Sequence, residues 1–449
     1  MAFGLSAIAP YVDHIFSGES EKTFGEYCAN GLHFSSCSNV IEGIPCEDMD
    51  SIPICNFSDY YAQFDLWAGE SYIADRNQIW LPYETSRGCW WGQKHHCTFC
   101  GINGNTMKFR QKSAERVLGD LEVLLETHPS KLICMVDNIM PMNFFETLIP
   151  RLTEEFTNLN IFYEQKANLS FDRVEALKQA GVNVIQPGIE ALSTDYLSLM
   201  KKGVSAAQNV ALLRYSRATD LSVNWNILYG FPHDKLNWLQ QTYKLIPFLT
   251  HLNPPTGVYH LSIDRFSPYF NSATQFGLDN VRALAAYHDV MPANTDLNRI
   301  AYHFEADYES ETSRAPIVEE VGTSVRAWRA LWNSDKMAPP VLELTELSDG
   351  MFLLLDTRPI AVETIRFLSR DEAEIAVFGS QSPLANDSEL VEWALASSVA
   401  VLHEDALLPL AVCSRELYDR LGHGVITRSN SKLRRLEEFD SGATADARF

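Results

Sequence analysis

The chain of 449 residues lacks a basic surplus, a long apolar run and a recognisable export signal, and each absence excludes a class of protein. Lys and Arg number 36 against 58 Asp and Glu, a formal net charge of -22, so the chain repels a phosphate backbone on average. No apolar run approaches the roughly 18 residues that a membrane span needs. The amino-terminal stretch lacks a basic start followed by a continuous apolar block. We therefore expect a soluble, cytoplasmic protein that binds neither nucleic acid nor membrane.

Cysteine occurs nine times, and an odd number without an export signal argues against a disulfide framework. Metal binding or redox chemistry are the alternatives. Four cysteines stand nine residues apart from one another: Cys28, Cys37, Cys46 and Cys55. Ligand runs for iron–sulfur clusters usually contain closer pairs, so we interpret this spacing as coincidence rather than as an auxiliary cluster.

Between about residues 79 and 265, short apolar runs alternate with helical patterns. Six strand-like runs, from IWLPYE to GVYHLSID, are separated by five helix-like segments such as SAERVLGDLEVLLETH. Such an alternation with nearly continuous apolar strands is typical of a parallel sheet covered by helices. The sequence therefore predicts an α/β fold for this region.

Charged and amide residues follow several of these strands: Glu84, Asp137, Asn138, Lys166, Glu190 and Asp264. The carboxyl ends of parallel strands meet at one rim, where barrels and open α/β sheets place their chemistry. These side chains therefore either converge on a site or form ordinary solvated strand ends.

The two ends of the chain have different patterns. Residues 1–75 contain one strand, one helix and a proline-punctuated connection, too little to fold alone. Residues 326–425 predict a hairpin around Ser-Asp-Gly, two helical patterns (361–379 and 387–399) and a second hairpin, an order that suits a small winged-helix-like module. Residues 426–449 are polar and predict a disordered tail.

The stretch CWWGQKHHCTFC places Cys89, Cys97 and Cys100 directly after the first strand. A zinc site closed by protein needs four ligands, and no second cysteine pair follows at finger spacing. His95 and His96 would complete a set, but adjacent residues rarely both point at one metal. Three thiolates instead suit a four-iron cluster that keeps one iron open. Three unligated thiols crowded by chance are the remaining alternative.

The same stretch, with Phe99 before the last cysteine and Gly101 after it, resembles the radical S-adenosylmethionine (SAM) superfamily. The usual loop of that superfamily has three residues between the first two cysteines, whereas this chain has seven. The longer loop resembles the peptide-maturation subgroup that includes C-methyltransferases of ribosomally made peptides. The resemblance continues through DNIMP, FYEQKANLS, VNWNILYGFPHD and LNPPTGVYHLSIDRFSPYF, covering about residues 47 to 300 and, more weakly, the carboxyl-terminal module.

The resemblance implies a partial (β/α)6 barrel over residues 76–325, with a 4Fe-4S cluster at its mouth held by the three cysteines. SAM would chelate the open iron, and one electron would split its S–C5′ bond to give a 5′-deoxyadenosyl radical. That radical would abstract hydrogen from an unactivated carbon, while the protein orients and shields the cofactors. An electron donor such as flavodoxin or ferredoxin is implied as a partner.

Residue roles are also implied by the resemblance. Asp137 and Asn138 would contact the SAM amino group, and Glu190 and Asn226 would contact ribose hydroxyls or the methionyl carboxylate. Lys166 shares a strand face with Glu164 and would neutralise a carboxylate. In the YGFP stretch, backbone groups from Tyr229 and Gly230 would bind adenine. The alternative for each residue is a structural hydrogen bond at a strand end; His95 and His96 are interpreted as shaping the loop or contacting substrate. The cofactor-binding set is Phe99, Asp137, Asn138, Lys166, Glu190, Asn226, Tyr229 and Gly230.

The amino-terminal region departs from the methylating members, which carry a cobalamin-binding domain there. Residues 1–75 resemble only a remnant of that domain, in the stretch YVDHIFSGESEKTF, and the DxHxxG motif of many relatives is absent. A few elements do not enclose a corrin, so cobalamin binding stays open. Either the chain carries out a cobalamin-independent modification such as epimerisation or cross-linking, or its start codon is internal to a longer gene. A noncatalytic peptide-binding homologue is a third possibility.

The carboxyl-terminal module suggests a partner. Its order of elements resembles winged-helix-like domains that bind leader peptides, often by strand addition. We therefore expect a ribosomally synthesised precursor peptide as substrate; a structural cap on the barrel is the alternative for the module.

Overall fold

The computed structural model describes residues 12–32, 39–68, 75–104, 106–348 and 350–422. The predicted tail 426–449 lies outside these ranges, as does Cys37. The strands are β1 Ile15–Ser17, β2 Val40–Glu42, β3 Trp80–Tyr83, β4 Ser86–Arg87, β5 Arg110–Gln111, β6 Leu132–Met135, β7 Asn160–Glu164, β8 Val182–Gln186, β9 Ser222–Val223, β10 Ile227–Tyr229, β11 Val258–His260, β12 Ile263–Asp264, β13 Asp279–Ala283, β14 His303–Asp307, β15 Leu342–Ser348, β16 Met351–Asp356, β17 Ile365–Leu368, β18 Ala400–His403 and β19 Ala406–Pro409.

The α-helices among the described residues alternate with the strands in the central part of the chain. They are α1 Glu21–Ala29, α2 Ser58–Ala68, α3 Ala114–Thr127, α4 Phe144–Thr147, α5 Ile149–Glu155, α6 Phe171–Gln179, α7 Thr194–Leu199, α8 Ala206–Ala218, α9 Leu236–Leu245, α10 Pro268–Asn271, α11 Ala286–Val290, α12 Leu297–Ile300, α13 Ile317–Trp332, α14 Arg370–Phe378 and α15 Ser388–Ala396. Within the described ranges, none of these helices combines the length and apolar content needed to cross a bilayer.

The central sheet is parallel, with strand order β3-β6-β7-β8-β9, and β10 and β11 form a further parallel pair. Strands β9 and β10 together form the fifth strand position of the barrel, and they are separated only by residues 224–226. Hydrogen bonds to the preceding strand β8 and the residues after it continue across this gap. The Asn224 amide donates to the Ile185 carbonyl (2.9 Å), and the Leu228 amide donates to the Glu190 carbonyl (2.9 Å). Six parallel strand positions therefore follow one another in chain order. No pairing closes β11 back onto β3 in the described part of the chain. The predicted partial α/β barrel is confirmed.

Local sequence explains why the helices begin where they do. The Ser113 hydroxyl accepts from the Arg116 amide before α3, and Ser205 forms a reciprocal capping box with Gln208 before α8. Each strand alternates β-branched or apolar residues toward these helices, and Ile133, Ile161 and similar side chains are fully buried. Burying one such side chain contributes about 1.5–3 kcal/mol relative to leaving it exposed.

The region after residue 341 contains the two predicted hairpins. The first hairpin, β15–β16, has a third strand, because β17 pairs antiparallel with β16. Strand β17 lies inside the stretch 361–379, for which the sequence predicted only a helix. Helix α14 begins at Arg370 because the Ser369 hydroxyl and the Glu372 side chain form a capping box there. The stretch before it alternates exposed Ile365 and Phe367 with less exposed neighbours, which is the period of a strand. The assignment as a winged-helix-like domain stays a prediction.

The amino-terminal region contains the predicted strand and helix as β1 and α1, and β1 pairs in parallel with β2. The stretch interpreted as a plain connection also contains α2. The Ser58 amide at its start donates to the Asn56 side chain (2.8 Å). Farther along, the Tyr61 ring stacks on His128 with centroids 5.2 Å apart. This tertiary contact stabilises a helix whose sequence carries little periodic signal.

Candidate metal centre at the carboxyl ends of the strands

The cysteine loop comprises residues 88–104 and 106–109 of the described chain, and it begins after β4 and ends at β5. Strand β4 pairs antiparallel with β5, so the two ends of the loop are joined at its base. Gly88 begins the loop at a φ of +81°, where a Cβ would lie 2.3 Å from the Lys108 carbonyl oxygen. Only glycine fits this combination of positive φ and close backbone approach. The ladder therefore holds a long loop on a fixed base directly after β3.

The three predicted ligands, Cys89, Cys97 and Cys100, are all partly buried. Burial raises the pKa of the Cys89 thiol, and burial together with the neighbouring cysteines raises that of Cys100 to about 11. Cys97 contributes to both shifts, which places the three thiols within electrostatic reach of one another. Among the described residues, no three His, Cys, Asp or Glu side chains converge at metal-binding distance. The thiols fit a thiolate-binding group chemically, and their assignment as its ligands stays a prediction.

Both histidines of the loop contact the loop itself. A ring nitrogen of His96 lies 2.8 Å from the Cys100 carbonyl oxygen. The His95 ring packs on Trp91, with centroids 4.6 Å apart. These contacts support the interpretation that the pair shapes the loop.

A turn after α7, residues 200–203, lies across the cysteine loop. The Thr98 amide donates to the Met200 carbonyl (3.1 Å), and the Trp91 indole nitrogen donates to the Lys201 carbonyl (3.1 Å). At Gly203, φ is +62° and a Cβ would lie 2.2 Å from the Trp91 ring. The turn and the loop therefore approach each other more closely than a side chain would permit.

Two lysines from different elements meet at this contact. The Lys166 ammonium lies 3.7 Å from the centroid of the Trp91 ring and donates to the Lys202 carbonyl. Burial and the nearby Lys202 charge lower the pKa of Lys166 to about 8. Lys202 is 3.4 Å from the Glu190 carboxylate and 5.8 Å from the centroid of the Phe99 ring. The predicted residues Lys166, Glu190 and Phe99 are thus brought together around Lys202, which the sequence analysis did not single out.

Glu164 is a second carboxylate of this cluster. Burial raises its pKa to about 7, although the positive charge of Lys202 acts in the opposite direction. Glu190 itself has a φ of +58°, uncommon for a residue with a side chain. The rim therefore holds two lysines and two glutamates close to the thiols.

Asp137 has a different environment from the one predicted. Its side chain is only 2% exposed, and it accepts hydrogen bonds from the Thr85 amide (2.7 Å) and hydroxyl, the Ser86 hydroxyl (2.7 Å) and the Tyr163 hydroxyl (3.1 Å). Burial outweighs these bonds and raises the pKa of Asp137 to about 6. The carboxylate supports the base of the cysteine loop, and its contact with a SAM amino group stays a prediction.

Asn138 and Asn226 lie farther toward the surface. The Asn138 amide donates to the Asn103 side chain (2.8 Å), which places it against the cysteine loop. The side-chain oxygen Oδ1 of Asn226 accepts from the Thr256 hydroxyl. Asn138 is thus beside the predicted ligands, whereas Asn226 is tied to the chain before β11.

The backbone groups of Tyr229 and Gly230 are used within the protein. The Tyr229 carbonyl accepts from the Leu261 amide (2.8 Å), the Gly230 amide donates to the Thr312 hydroxyl (2.9 Å), and the Gly230 carbonyl accepts from the Tyr308 hydroxyl (2.7 Å). These bonds stabilise the edge of the barrel. The adenine contact through these groups stays a prediction.

Asp264 lies on the other side of the cysteine loop. A Cβ at Gly101 would be 2.8 Å from the Asp264 Cβ, so the strand end and the loop are in direct contact. The Asp264 carboxylate pairs with His303 Nδ1 at 2.8 Å, and burial raises the pKa of Asp264. His303 carried no motif signal, because its partner is separated from it by 39 residues.

A cavity of about 980 Å³ opens beside the last barrel strands, and its lining includes His260, Ser262, Arg282 and Glu305. None of the described residues that line it is a cysteine. Its volume is in the range of ligand pockets, but no geometry ties it to the cysteines.

The amino-terminal region is anchored to the base of the cysteine loop by Glu19. The Glu19 carboxylate pairs with Arg110 (2.5 Å) and Arg87 (3.1 Å) and accepts from the Cys46 amide (2.8 Å). Burial acts against ionisation, yet these partners hold the pKa of Glu19 at about 2. The thiol of Cys46 lies 3.1 Å from the Asp48 carbonyl oxygen, while Cys28 and Cys55 are exposed.

Comparison with known proteins identifies part of the chain. The model of the radical SAM superfamily matches residues 83–246, from the last residue of β3 to the residue after α9. The matched segment contains the cysteine loop and four of the six strand positions, together with the last residue of β3.

Two curated relatives and one solved structure are similar to larger parts of the chain. An uncharacterised methyltransferase of Pyrococcus horikoshii is 24% identical over 253 residues, 52% of each chain. The anaerobic magnesium-protoporphyrin IX monomethyl ester cyclase of Rubrivivax gelatinosus is 20% identical over 264 residues, 53% of this chain and 45% of the relative. The cobalamin-dependent SAM radical enzyme OxsB with aqua-cobalamin bound is 16% identical, covering 57% of this chain and 41% of that one, with a TM-score of 0.41. The chain spans about half the length of the curated relatives it matches.

Proposed function

Since residues 83–246 form a radical SAM domain, we propose that this chain cleaves SAM reductively at a 4Fe-4S cluster and modifies a carbon centre of a ribosomally synthesised peptide. Cys89, Cys97 and Cys100 would hold the cluster. The observation that carries the proposal is the single loop, fixed on a short ladder at the carboxyl end of β3, that carries three partly buried thiols. A bound cluster with SAM would supply one-electron chemistry at unactivated carbon.

The residues around the loop have roles that follow from their charges and contacts. Lys166 and Lys202 place two ammonium groups beside the thiols, and one of them would neutralise the carboxylate of SAM. Glu190 pairs with Lys202 and limits the positive charge that the site accumulates. The rings of Trp91 and Phe99 lie against Lys166 and Lys202 and shield them in part from water, which strengthens electrostatic interactions at the site.

A peptide substrate is supported by the sheet of the carboxyl-terminal region. Strand β17 pairs with β16 and has no second neighbour among the described strands. Its outward side chains, Ile365 and Phe367, are 57% and 66% exposed. An unpaired edge with apolar side chains suits an extended peptide that adds as a further strand. We propose the precursor peptide as its partner, with flavodoxin or ferredoxin as electron donor and the cytoplasm as the compartment.

C-methylation is the proposed outcome. The relative of Pyrococcus horikoshii carries the name of a methyltransferase, and the resemblance of the cysteine loop points to the same chemistry. Cobalamin would be the methyl carrier if the chain binds it. A cobalamin-independent modification, such as epimerisation or cross-linking, is the competing outcome.

Anaerobic reconstitution with iron and sulfide tests the radical chemistry. We expect about four irons per chain and release of 5′-deoxyadenosine from SAM under reduction. Cys97→Ala should abolish SAM cleavage, because it removes one of three ligands. Cys55→Ala is the matched control, since this exposed thiol lies outside the loop. Full cleavage activity in the Cys97→Ala variant would overturn the proposal, and a wild-type cluster that cleaves no SAM would favour a noncatalytic peptide-binding protein.

The outcome of the radical step has its own measurement. The protein is incubated with cobalamin, the free cofactor is removed, and the absorption spectrum of the protein is recorded. If methylation proceeds through cobalamin, the spectrum retains the corrin absorption. Mass spectrometry of a candidate precursor peptide then distinguishes a gain of one methyl group from an unchanged mass, as in epimerisation, or a loss of hydrogen, as in cross-linking. A protein without bound corrin that still changes the peptide would leave the radical assignment intact and exclude methylation through cobalamin.

A further inference from the structure

The turn between β18 and β19 contacts the barrel at the start of α7. The Thr194 amide and hydroxyl donate to the two carboxylate oxygens of Glu404, both at 2.5 Å. A ring nitrogen of His403 lies 3.0 Å from the Leu192 carbonyl oxygen. The carboxyl-terminal region therefore holds the first residues of α7 from two adjacent positions.

The other end of α7 leads directly into the turn that lies on the cysteine loop. The helix has six residues, and its centre is fixed by buried Tyr196 and Leu197. The next residues present the Met200 carbonyl to Thr98 and the Lys201 carbonyl to Trp91, as described above. The Cys97 sulfur lies 3.8 Å from the Lys201 carbonyl oxygen. One short, rigid segment thus connects Glu404 to a predicted ligand.

We propose that Glu404 is a positioning residue for the cysteine loop: it fixes the segment 192–203 and thereby the turn that holds Trp91, Cys97 and Lys202. The inference rests on the proposed function only where it concerns SAM. The carboxyl-terminal region, which we propose to bind the peptide, would then set the geometry of the site where the peptide is modified. A displacement of the β18–β19 turn would reach the cysteine loop through the Glu404–Thr194 contact, α7 and the hydrogen bonds of residues 200 and 201.

The hydrogen bonds at Thr194 explain why a carboxylate is needed. The Thr194 hydroxyl already accepts from the Ala206 amide (3.0 Å), which begins α8. Because the hydroxyl oxygen already accepts this bond, the hydroxyl group can donate its proton to an acceptor, and the side chain at position 404 supplies that acceptor. Glutamate accepts both bonds, glutamine accepts one without rearrangement, and alanine accepts none.

The neighbouring residue Asp405 provides a matched control. Both residues are exposed turn positions with positive φ, 51° at Glu404 and 61° at Asp405. Replacing either by alanine imposes the same kind of backbone strain. Only Glu404→Ala removes the contact with Thr194, so a difference between the two variants reports on that contact.

The first measurement uses the metal-free full-length chain. We expect Glu404→Ala to increase amide hydrogen exchange in residues 195–203 and to speed alkylation of Cys97 by iodoacetamide by about three- to tenfold, which corresponds to the net contribution of one ordinary hydrogen bond. Glu404→Gln, which keeps one of the two bonds, should give an intermediate rate, and Asp405→Ala should match the wild type. Thr194→Val should act like Glu404→Ala, and the double variant should add little to either change.

The second measurement uses the reconstituted protein. Glu404→Ala should weaken SAM binding by a similar factor and broaden the change that SAM causes in the electron paramagnetic resonance spectrum of the reduced cluster. Equal alkylation rates in Glu404→Ala and Asp405→Ala would overturn the proposal, as would a lowered thermal midpoint with unchanged Cys97 reactivity. A wild-type chain that forms no cluster would refute the proposed function, while the alkylation rates would still decide the role of Glu404.

Discussion

The contact between the barrel and the carboxyl-terminal region differs from the mouth of the barrel in the burial and the hydrogen bonding of its charged and polar side chains. At the contact, buried Arg214 donates to the carbonyls of Ala411 and Val377, and His251 reaches the carbonyl of Leu410 at 2.9 Å. The Arg358–Asp356 pair has no exposed side-chain surface. At the mouth, the lysines and glutamates are only partly buried and make few hydrogen bonds. The charged and polar side chains of the first region are buried and bonded mainly to backbone carbonyls, whereas those of the second are partly exposed.

The difference appears in protonation. Burial lowers the pKa of His251 well below its usual value, so this side chain remains neutral at physiological pH. At the mouth, the pKa of Glu164 is about 7 and that of Lys166 about 8. Shifts of this kind are frequent at functional sites because they allow proton exchange near neutral pH. The contact therefore fixes position, and the mouth retains adjustable charge.

The largest effect is expected where the contact is broken at Arg358. Its guanidinium pairs with Asp356 and donates to the carbonyls of Phe248 (2.9 Å) and Ser398 (2.6 Å). Arg358→Ala leaves the Asp356 carboxylate buried without its main partner, so we expect a loss of about 3–5 kcal/mol in the free energy of unfolding.

Urea denaturation measures this loss. Replacing both Arg358 and Asp356 by leucine should cost less than Arg358→Ala, because no charge is left buried. Arg326→Ala, which removes an exposed ion pair with Glu319, should leave the unfolding midpoint unchanged. An equal loss in the Arg358 and Arg326 variants would contradict the view that the contact is held by buried charge.

The second prediction concerns Asp137, a buried carboxylate at the base of the mouth. Its pKa is raised from 3.8 to about 6, so the folded state binds more protons than the unfolded state between these values. Stability from this group is therefore present below about pH 4 and is lost as the pH rises through about 6, a change of about 3 kcal/mol.

Urea unfolding at pH 5, 6 and 7 compares the wild type with Asp137→Asn. We expect the wild type to lose more stability over this range than the variant, which has no carboxyl group to titrate at this position. Parallel pH profiles of the two proteins would refute this account. A larger loss in the wild type would show that the mouth, like the contact, includes a buried charged group, and that this group titrates at the base of the cysteine loop.

The smallest effect is expected at the glycine where the turn meets the cysteine loop. Gly203→Ala introduces a Cβ 2.2 Å from the Trp91 ring at a φ of +62°, and we expect a loss of about 1–3 kcal/mol. Gly119→Ala in α3 is the control, because nothing lies within 4 Å of its Cβ and the change should stabilise by about 0.5–1 kcal/mol. Thermal unfolding measures both; a stabilised Gly203→Ala variant would show that the mouth tolerates looser packing than the structure indicates.

Much of the fold could be predicted because the barrel strands and helices follow simple periods. Apolar runs such as KLICMVD lie at β6, and SAERVLGDLEVLLETH became α3 with its serine cap. The exceptions depend on distant partners. Strand β17 was included in a helical pattern because its pairing with β16 is invisible locally, and α2 depends on His128, which is 67 residues beyond Tyr61.

The candidate site was only partly predictable for the same reason. The three cysteines are close in sequence, so their spacing predicted a shared centre. Lys202 could not be predicted as a site residue, because it contacts Glu190 and Lys166 only in the folded protein. Those two residues follow two different strands. Asp137 carried the right signal, a polar group at the end of a strand, but its acceptors are engaged by Thr85, Ser86 and Tyr163.

The amino-acid sequence alone determined the class of fold and the chemistry of the loop, because hydrophobic periodicity and the spacing of thiols are local properties of the chain. Only the tertiary structure decided which polar strand ends face the thiols and which are buried as supports, because that depends on contacts between residues far apart in sequence. It also placed Glu404 on Thr194, 210 residues earlier, and so connected the carboxyl-terminal region to the cysteine loop.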